Sequence, residues 1–245
     1  MTVTQMLVIA GAFLAAGVAK GALGMGLPLV AIGLMSFVLP LQDALALMVL
    51  PTLFTNVWQA IYGGQFAPLM RRFWPMTVTA VGGVFIVAVV FGDLGAPHAS
   101  GWVGAILIAY ALLALAAWRP KIPRLVERWA NPLIGLASGA VVGFTGVAAV
   151  PFLPYMQSID IDRHGLVQAL GIQFLFITGA LALALVWQGA FHLGNTIGAL
   201  AALAPTMAGV WLGQKIRHSL SPEMFRRAFL VGMLAIGLHM AHALL

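Results

Sequence analysis

Apolar runs follow one another along this 245-residue chain, at about 5–37, 43–62, 73–91, 100–118, 131–157, 164–187, 193–212 and 223–243. A helix that crosses a bilayer needs roughly 20 apolar residues, so six of these runs predict one crossing each. The runs 5–37 and 131–157 are too long for a single ordinary span. Each is interrupted by glycine, at Gly21, Gly24 and Gly26 in the first and at Gly143 and Gly146 in the second. Such clusters at membrane depth predict a broken helix or a hairpin.

The loops assign sides to these runs. Arg71 and Arg72 mark one loop as cytoplasmic, as do Arg119, Lys121, Arg124 and Arg128, and then Lys215, Arg217, Arg226 and Arg227. The stretches near 38–42, 92–99 and 188–192 hold no Lys or Arg and are expected outside. These sides agree only if 131–157 crosses an even number of times, as a re-entrant hairpin or two short spans. By analogy 5–37 does the same from the outside.

A repeat supports that reading. Sliding the chain by 122 residues lays Gly17, Gly21 and Gly24 over Gly139, Gly143 and Gly146. Further on, Gly82-Gly83-Val-Phe falls near Ala208-Gly209-Val-Trp, the offset having drifted to about 125–126. The halves match in pattern but oppose in loop charge, the signature of an inverted-topology repeat. The expected organisation is therefore a first repeat over 1–118, a cytoplasmic linker over 119–130 and a second repeat over 131–245. The fold class is all-α and polytopic, with glycine-broken re-entrant or short paired helices plus three full spans in each repeat.

Composition narrows the class. Only 7% of residues are charged and 62% are hydrophobic, with a mean hydropathy of +1.04, whereas soluble domains carry about 25% charged residues. Most of the surface must face lipid, so the expectation is a multi-pass protein of the cell (inner or plasma) membrane. Residues 1–19 contain no Lys or Arg and so lack a signal peptide's basic region; the segment reads as the start of the mature fold. The chain has no cysteine, which excludes disulfides and thiol chemistry. The net charge of +6 resides in the loops, a positive-inside pattern that argues against nucleic acid as partner.

Lys20 lies well inside an apolar run, next to Gly21. A charge at that depth costs about 3 kcal/mol or more unless it meets a cavity or a partner. It could neutralise an anion held by N–H groups freed at a helix break, or snorkel to the headgroups. Val142 occupies the matching place in the second half. Thr52, Thr55, Asn56 and Gln59 share one helical face, beside Phe54 and Trp58, and should face a polar path or form interhelical hydrogen bonds. Gln168, Gln173 and Thr178 populate 164–187, and Thr145 stands between the glycines of the second break. The candidate binding residues are Lys20, Gly21, Gly24, Gly26, Thr52, Thr55, Asn56, Gln59, Gly143, Thr145, Gly146 and Gln173. Close helix packing is the alternative reading of the glycines.

Asp43 opens a span and reads as a helix N-cap, while Asp160, Asp162 and Arg163 read as solvated charge. His98, His164, His192 and His218 fall at loops or span ends, and His239 and His242 share a face of the last span. No nucleophile motif, phosphate-binding loop or metalloprotease helix is present. Neither catalysis nor a cofactor or metal is expected.

At Gly17-Val-Ala-Lys-Gly-Ala-Leu-Gly-Met-Gly-Leu-Pro28, and again at Gly139-Ala-Val-Val-Gly-Phe-Thr-Gly146 with Pro151, the sequence resembles the TauE/SafE sulfite-exporter family of permeases. The resemblance extends over essentially the whole chain and implies alternating-access transport of a small sulfur anion such as sulfite, sulfoacetate or thiosulfate. Met25-Gly-Leu-Pro and Val147-Ala-Ala-Val depart from the glycine-rich run often seen in that family, so the resemblance carries a substrate class and not one anion. Homo-oligomerisation and coupling to H+ or Na+ are both compatible with such a protein. The rival readings are a carrier of another small anion, such as a carboxylate, and a non-transporting assembly or structural protein of the membrane.

Overall fold

The computed structural model describes residues 3–92, 99–116, 121–190, 193–219 and 222–242. His98, Arg119 and His192 lie outside the described residues, as do the side chains of Arg217, His218 and Arg226. The described residues are helical, apart from turns and one isolated parallel bridge between Ile122 and Ile159. Among the described residues, five helical stretches are long and apolar enough to cross a membrane: Gln5–Leu23, Leu41–Ile61, Phe66–Phe91, Arg163–Trp187 and Asn195–Ile216. Gly101–Leu115 and Phe229–Ala241 are shorter apolar helices.

Both long runs are broken where glycine predicts. Helix α1 (Val3–Leu23) ends at Gly24, and α2 (Leu27–Met35) starts after Gly26. In the second half α6 (Arg124–Thr145) ends at Gly146, and a short α7 (Phe152–Met156) follows. At five residues α7 is far too short to span on its own. Helix α6 also begins inside the stretch expected as linker. The remaining helices are α3 (Leu41–Ile61), α4 (Phe66–Phe91), α5 (Ala99–Leu115), α8 (Arg163–Trp187), α9 (Leu193–Ala201), α10 (Leu203–Ser219) and α11 (Pro222–Ala241). The run 193–212, expected as one crossing, lies largely in the single stretch Asn195–Ile216, with a local irregularity at Ala202 that separates α9 from α10. Pro205 has no N–H to offer the Ala201 carbonyl, and the chain re-forms with Thr206 donating to Ala202.

Helix contacts divide the chain into two compact units: Met1–Pro51, Gly95–Leu115 and Ala190–Leu245 form the first, and Thr52–Leu94 and Ala116–Gly189 the second. Each draws on both sequence halves. In the first unit α1 packs along α10, α2 folds back on α1, and α5 packs on α11. In the second, α4 packs along α6 and against α8.

The two main seams are built alike. On α1 and α10, a Cβ at Gly17 would strike the Thr206 carbonyl, and one at Gly209 the Leu14 carbonyl. On α6 and α4, a Cβ at Gly139 would strike the Ala80 carbonyl, and one at Gly83 the Leu136 carbonyl. Without a hydrophobic drive inside lipid, helices associate through such close backbone approach. The outer faces are apolar: Leu125, Trp129, Leu133 and Leu136 are exposed along α6, and Trp74, Val78, Ile86 and Val90 along α4.

One end of the second unit is fastened by ionic and polar bonds. Arg72 Nε and Nη2 donate to the two Glu127 oxygens at 2.8 and 2.7 Å, and Nη2 also donates to the Asp160 carbonyl at 2.9 Å. Asn131 Nδ2 donates to the Arg72 carbonyl, and the Tyr155 hydroxyl donates to Asn131 Oδ1 at 2.6 Å. This network explains the early start of α6, because Glu127 is buried against its partner. Glu127→Ala strands the guanidinium and is expected to destabilise the protein by about 3 kcal/mol, measured by chemical unfolding in detergent. Glu127→Gln, which keeps an acceptor, should cost less.

Candidate functional site

The first break gathers the sharpest chemistry. Lys20 lies in the last turn of α1 and is only 7% exposed. Its carbonyl accepts from Gly24 N at 2.7 Å, closing the helix. Gly24 (φ 78°) and Gly26 (φ 97°) are left-handed, a conformation that disfavours side chains. Gly26 leads directly into α2, whose first intrahelical bond runs from Val30 N to the Gly26 carbonyl. The N–H groups of Leu27 and Leu29 therefore sit at the positive end of α2 with no acceptor in their own helix. A buried lysine and the N-terminal end of a helix fall within ten residues of one unit. Gly21 serves the packing instead, since a Cβ there would strike the Val210 carbonyl of α10.

The second break repeats the geometry without the charge. Gly146 (φ 71°) donates to the Val142 carbonyl at 2.7 Å, and Val142 is the residue that matches Lys20. The Thr145 hydroxyl donates to the Val141 carbonyl at 2.7 Å and accepts from Val147 N at 3.2 Å. Gly143 packs on the Val87 side chain of α4.

The polar stripe of α3 lies in the second unit. Thr52, Thr55, Asn56 and Gln59 are all buried, whereas Phe54 and Trp58 are exposed. Gln59 donates to the Val167 carbonyl of α8 at 2.7 Å, an interhelical bond. The Thr55 hydroxyl donates to the Thr52 carbonyl at 3.1 Å, so Thr55, like Thr145, presents lone pairs as it stands. Gln173, fully buried on α8, donates to Thr77 Oγ1 at 2.8 Å. Gln168 clamps the α3–α4 turn, donating to the Ala60 carbonyl at 2.8 Å and accepting from Gln65 N at 3.0 Å. It is thus a structural residue.

The structure therefore brings Lys20, Gly21, Gly24 and Gly26 together in the first unit. Thr52, Thr55, Asn56, Gln59, Gly143, Thr145, Gly146 and Gln173 belong to the second. Thr77 and Ser138 add buried hydroxyls to the latter. Ser138 was legible: Asn131, Ser138 and Thr145 recur seven residues apart, on one face of α6. Among the described residues, Ser138 Oγ and Gln173 Oε1 are buried and meet no hydrogen-bond partner.

The remaining charged candidates are structural. Asp43 lies within the first turn of α3, not at its N-cap, and accepts from Asn195 Nδ2 at 3.2 Å. Asp162 is exposed, as expected of a solvated charge, and also caps α8 by accepting from His164 N and Gly165 N. His239 stacks on Phe37 at 4.4 Å between ring centroids. Among the described residues no cluster of three or more His, Cys, Asp or Glu side chains is placed to hold a metal.

Residues 9–240 match the family model described as sulfite exporter TauE/SafE. No curated protein and no solved structure matches the chain.

Proposed function

Because the chain belongs to the TauE/SafE sulfite exporter family, a family of membrane transporters, we propose that it is a secondary permease for a small sulfur oxyanion or organosulfonate such as sulfite, thiosulfate or sulfoacetate. The observation that carries this reading is the pairing of buried Lys20 with the glycine-broken start of α2. Lys20 supplies the positive charge, and the Leu27 and Leu29 N–H groups supply directed donors. A tetrahedral or pyramidal oxyanion suits that combination, since its several oxygens accept from more than one direction.

The second unit has a polar interior of its own. Thr52, Asn56, Ser138 and Gln173 offer hydroxyl and amide groups to an ion that has shed water. Thr55 and Thr145 keep that interior polar while their protons stay on the backbone. Alternating access follows from two halves of inverted topology, which give one fold two opposite-facing states. The recurrence of the Gly24 and Gly146 caps, and of the two glycine seams, supports a duplicated architecture.

The test is a flux assay in vesicles holding the purified protein, with sulfite, thiosulfate, sulfoacetate and simple carboxylates as competing ions. Sulfur anions are expected to compete with one another and to exceed acetate and lactate. Preference for carboxylates would reassign the substrate. Absence of flux for every ion would sink the transporter reading.

A further inference from the structure

We propose that a cleft at one end of the second unit holds the headgroup of a zwitterionic phospholipid, a phosphate joined to a primary ammonium as in phosphatidylethanolamine. The cleft has a volume of about 310 Å³ and lies between the start of α4, the start of α6 and the loop that leads into α8. Its charges come in both signs: Arg72 and Arg124 on the two helices, Asp160 and Asp162 on the loop.

The protein leaves part of this charge for a ligand. Arg72 commits Nε and Nη2 to Glu127 and the Asp160 carbonyl, and its Nη1 N–H groups bond to no described residue. The Arg124 guanidinium makes no hydrogen bond or salt bridge among the described residues; the Asp160 carboxylate makes none either, although it attracts the Arg72 guanidinium at longer range. A simple anion entering here would meet two carboxylates, and a simple cation would meet two guanidiniums. A molecule carrying both charges satisfies each side with charge-assisted hydrogen bonds. Its phosphate faces Arg124 and Arg72, and its ammonium faces Asp160.

The surroundings point to a lipid as the source. Arg124 is followed at once by the outward-facing row Leu125, Trp129, Leu133 and Leu136, all exposed, which suits acyl chains. Trp74, two residues beyond Arg72, and Trp129 are 56% and 68% exposed. Exposed tryptophans gather at the headgroup level of a bilayer, so the cleft opens at the depth where headgroups lie. The primary ammonium matters because it donates hydrogen bonds to carboxylates, whereas a trimethylated one has no N–H.

The test uses the full chain in nanodiscs of phosphatidylcholine containing equal parts of phosphatidylethanolamine and phosphatidylglycerol, with retained lipid identified by native mass spectrometry. Phosphatidylethanolamine is expected to be retained about tenfold over each of the others, as one charged hydrogen bond warrants. Arg124→Ala and Asp160→Asn alter exposed side chains and are each expected to erase that preference. Equal retention of the three lipids, or the same preference in both variants, overturns the proposal. Preference for phosphatidylglycerol shows a plain anion site, and displacement by equimolar soluble phosphoethanolamine shows a site for a free zwitterion; either result also overturns it. The readout is independent of flux, so failure of the permease reading leaves this proposal standing.

Discussion

Lys20→Ala is expected to weaken sulfur-anion binding by about 10- to 100-fold, the span that loss of one hydrogen bond to a charged group implies. The effect should be large because no second cation takes its place in the repeat: Val142 occupies the corresponding position, and Gly146 N bonds to the Val142 carbonyl as Gly24 N bonds to that of Lys20. Lys20→Arg keeps the charge but is bulkier and planar, so it should recover part of the affinity. Binding is measured on purified protein by competition, and flux in vesicles, with the elution profile in detergent showing that the fold survives. Unchanged affinity and flux in Lys20→Ala would mean that the ammonium does not touch the substrate.

Gly83→Val should be strongly destabilising, and its neighbour Gly82→Val nearly silent. A Cβ at Gly83 would meet the Leu136 carbonyl and the Ala140 nitrogen, both backbone atoms that cannot swing away, whereas a Cβ at Gly82 meets nothing within 4 Å. The expected loss at Gly83 is about 3 kcal/mol, or a fall of about 10 °C in Tm for a chain of this size. Gly17→Val against Gly11→Val poses the same contrast on α1, where Gly11 is also open. Thermal unfolding of the four variants in one detergent checks both pairs. Equal losses within a pair would show that helix propensity, not the seam, governs the effect.

Much of the fold was legible because membrane helices write their length and their breaks directly into sequence. Gly24 and Gly146 close α1 and α6 and Gly26 opens α2, each at positive φ, and the offset of 122 residues carries Gly24 onto Gly146. Charge misled at α6. Arg124, Glu127 and Arg128 read as a loop, yet Glu127 is inside the unit against Arg72, a pairing across 55 residues that no local pattern announces. Pro205 leaves the Ala201 carbonyl without its helical donor, an effect that the surrounding apolar run masks in the sequence.

The candidate site was legible as residue types and not as a grouping. The α3 stripe was found by periodicity, and all four members are buried. Periodicity could not say that Gln59 would bond to Val167 while Gln168 clamps a turn, because both depend on which helix lies opposite. Nor could it separate Gly21 and Gly143, which admit a neighbouring helix, from Gly24 and Gly146, which turn the chain.

The exchange of helices between the halves sets an order on biosynthesis. When α1 enters the membrane, the face bearing Gly17 and Gly21 has no partner, because α10 is encoded near the other end of the chain. The ribosome must add every residue up to Ser219 before that seam can close. The seam between α4 and α6 needs far less chain and can close while synthesis continues. The second unit is thus positioned to assemble first, with α1 and α2 waiting beside the translocon. Either half made alone would lack its cross-half partners, so neither half is expected to mature without the other, whereas the two halves expressed together can supply each other's missing helices.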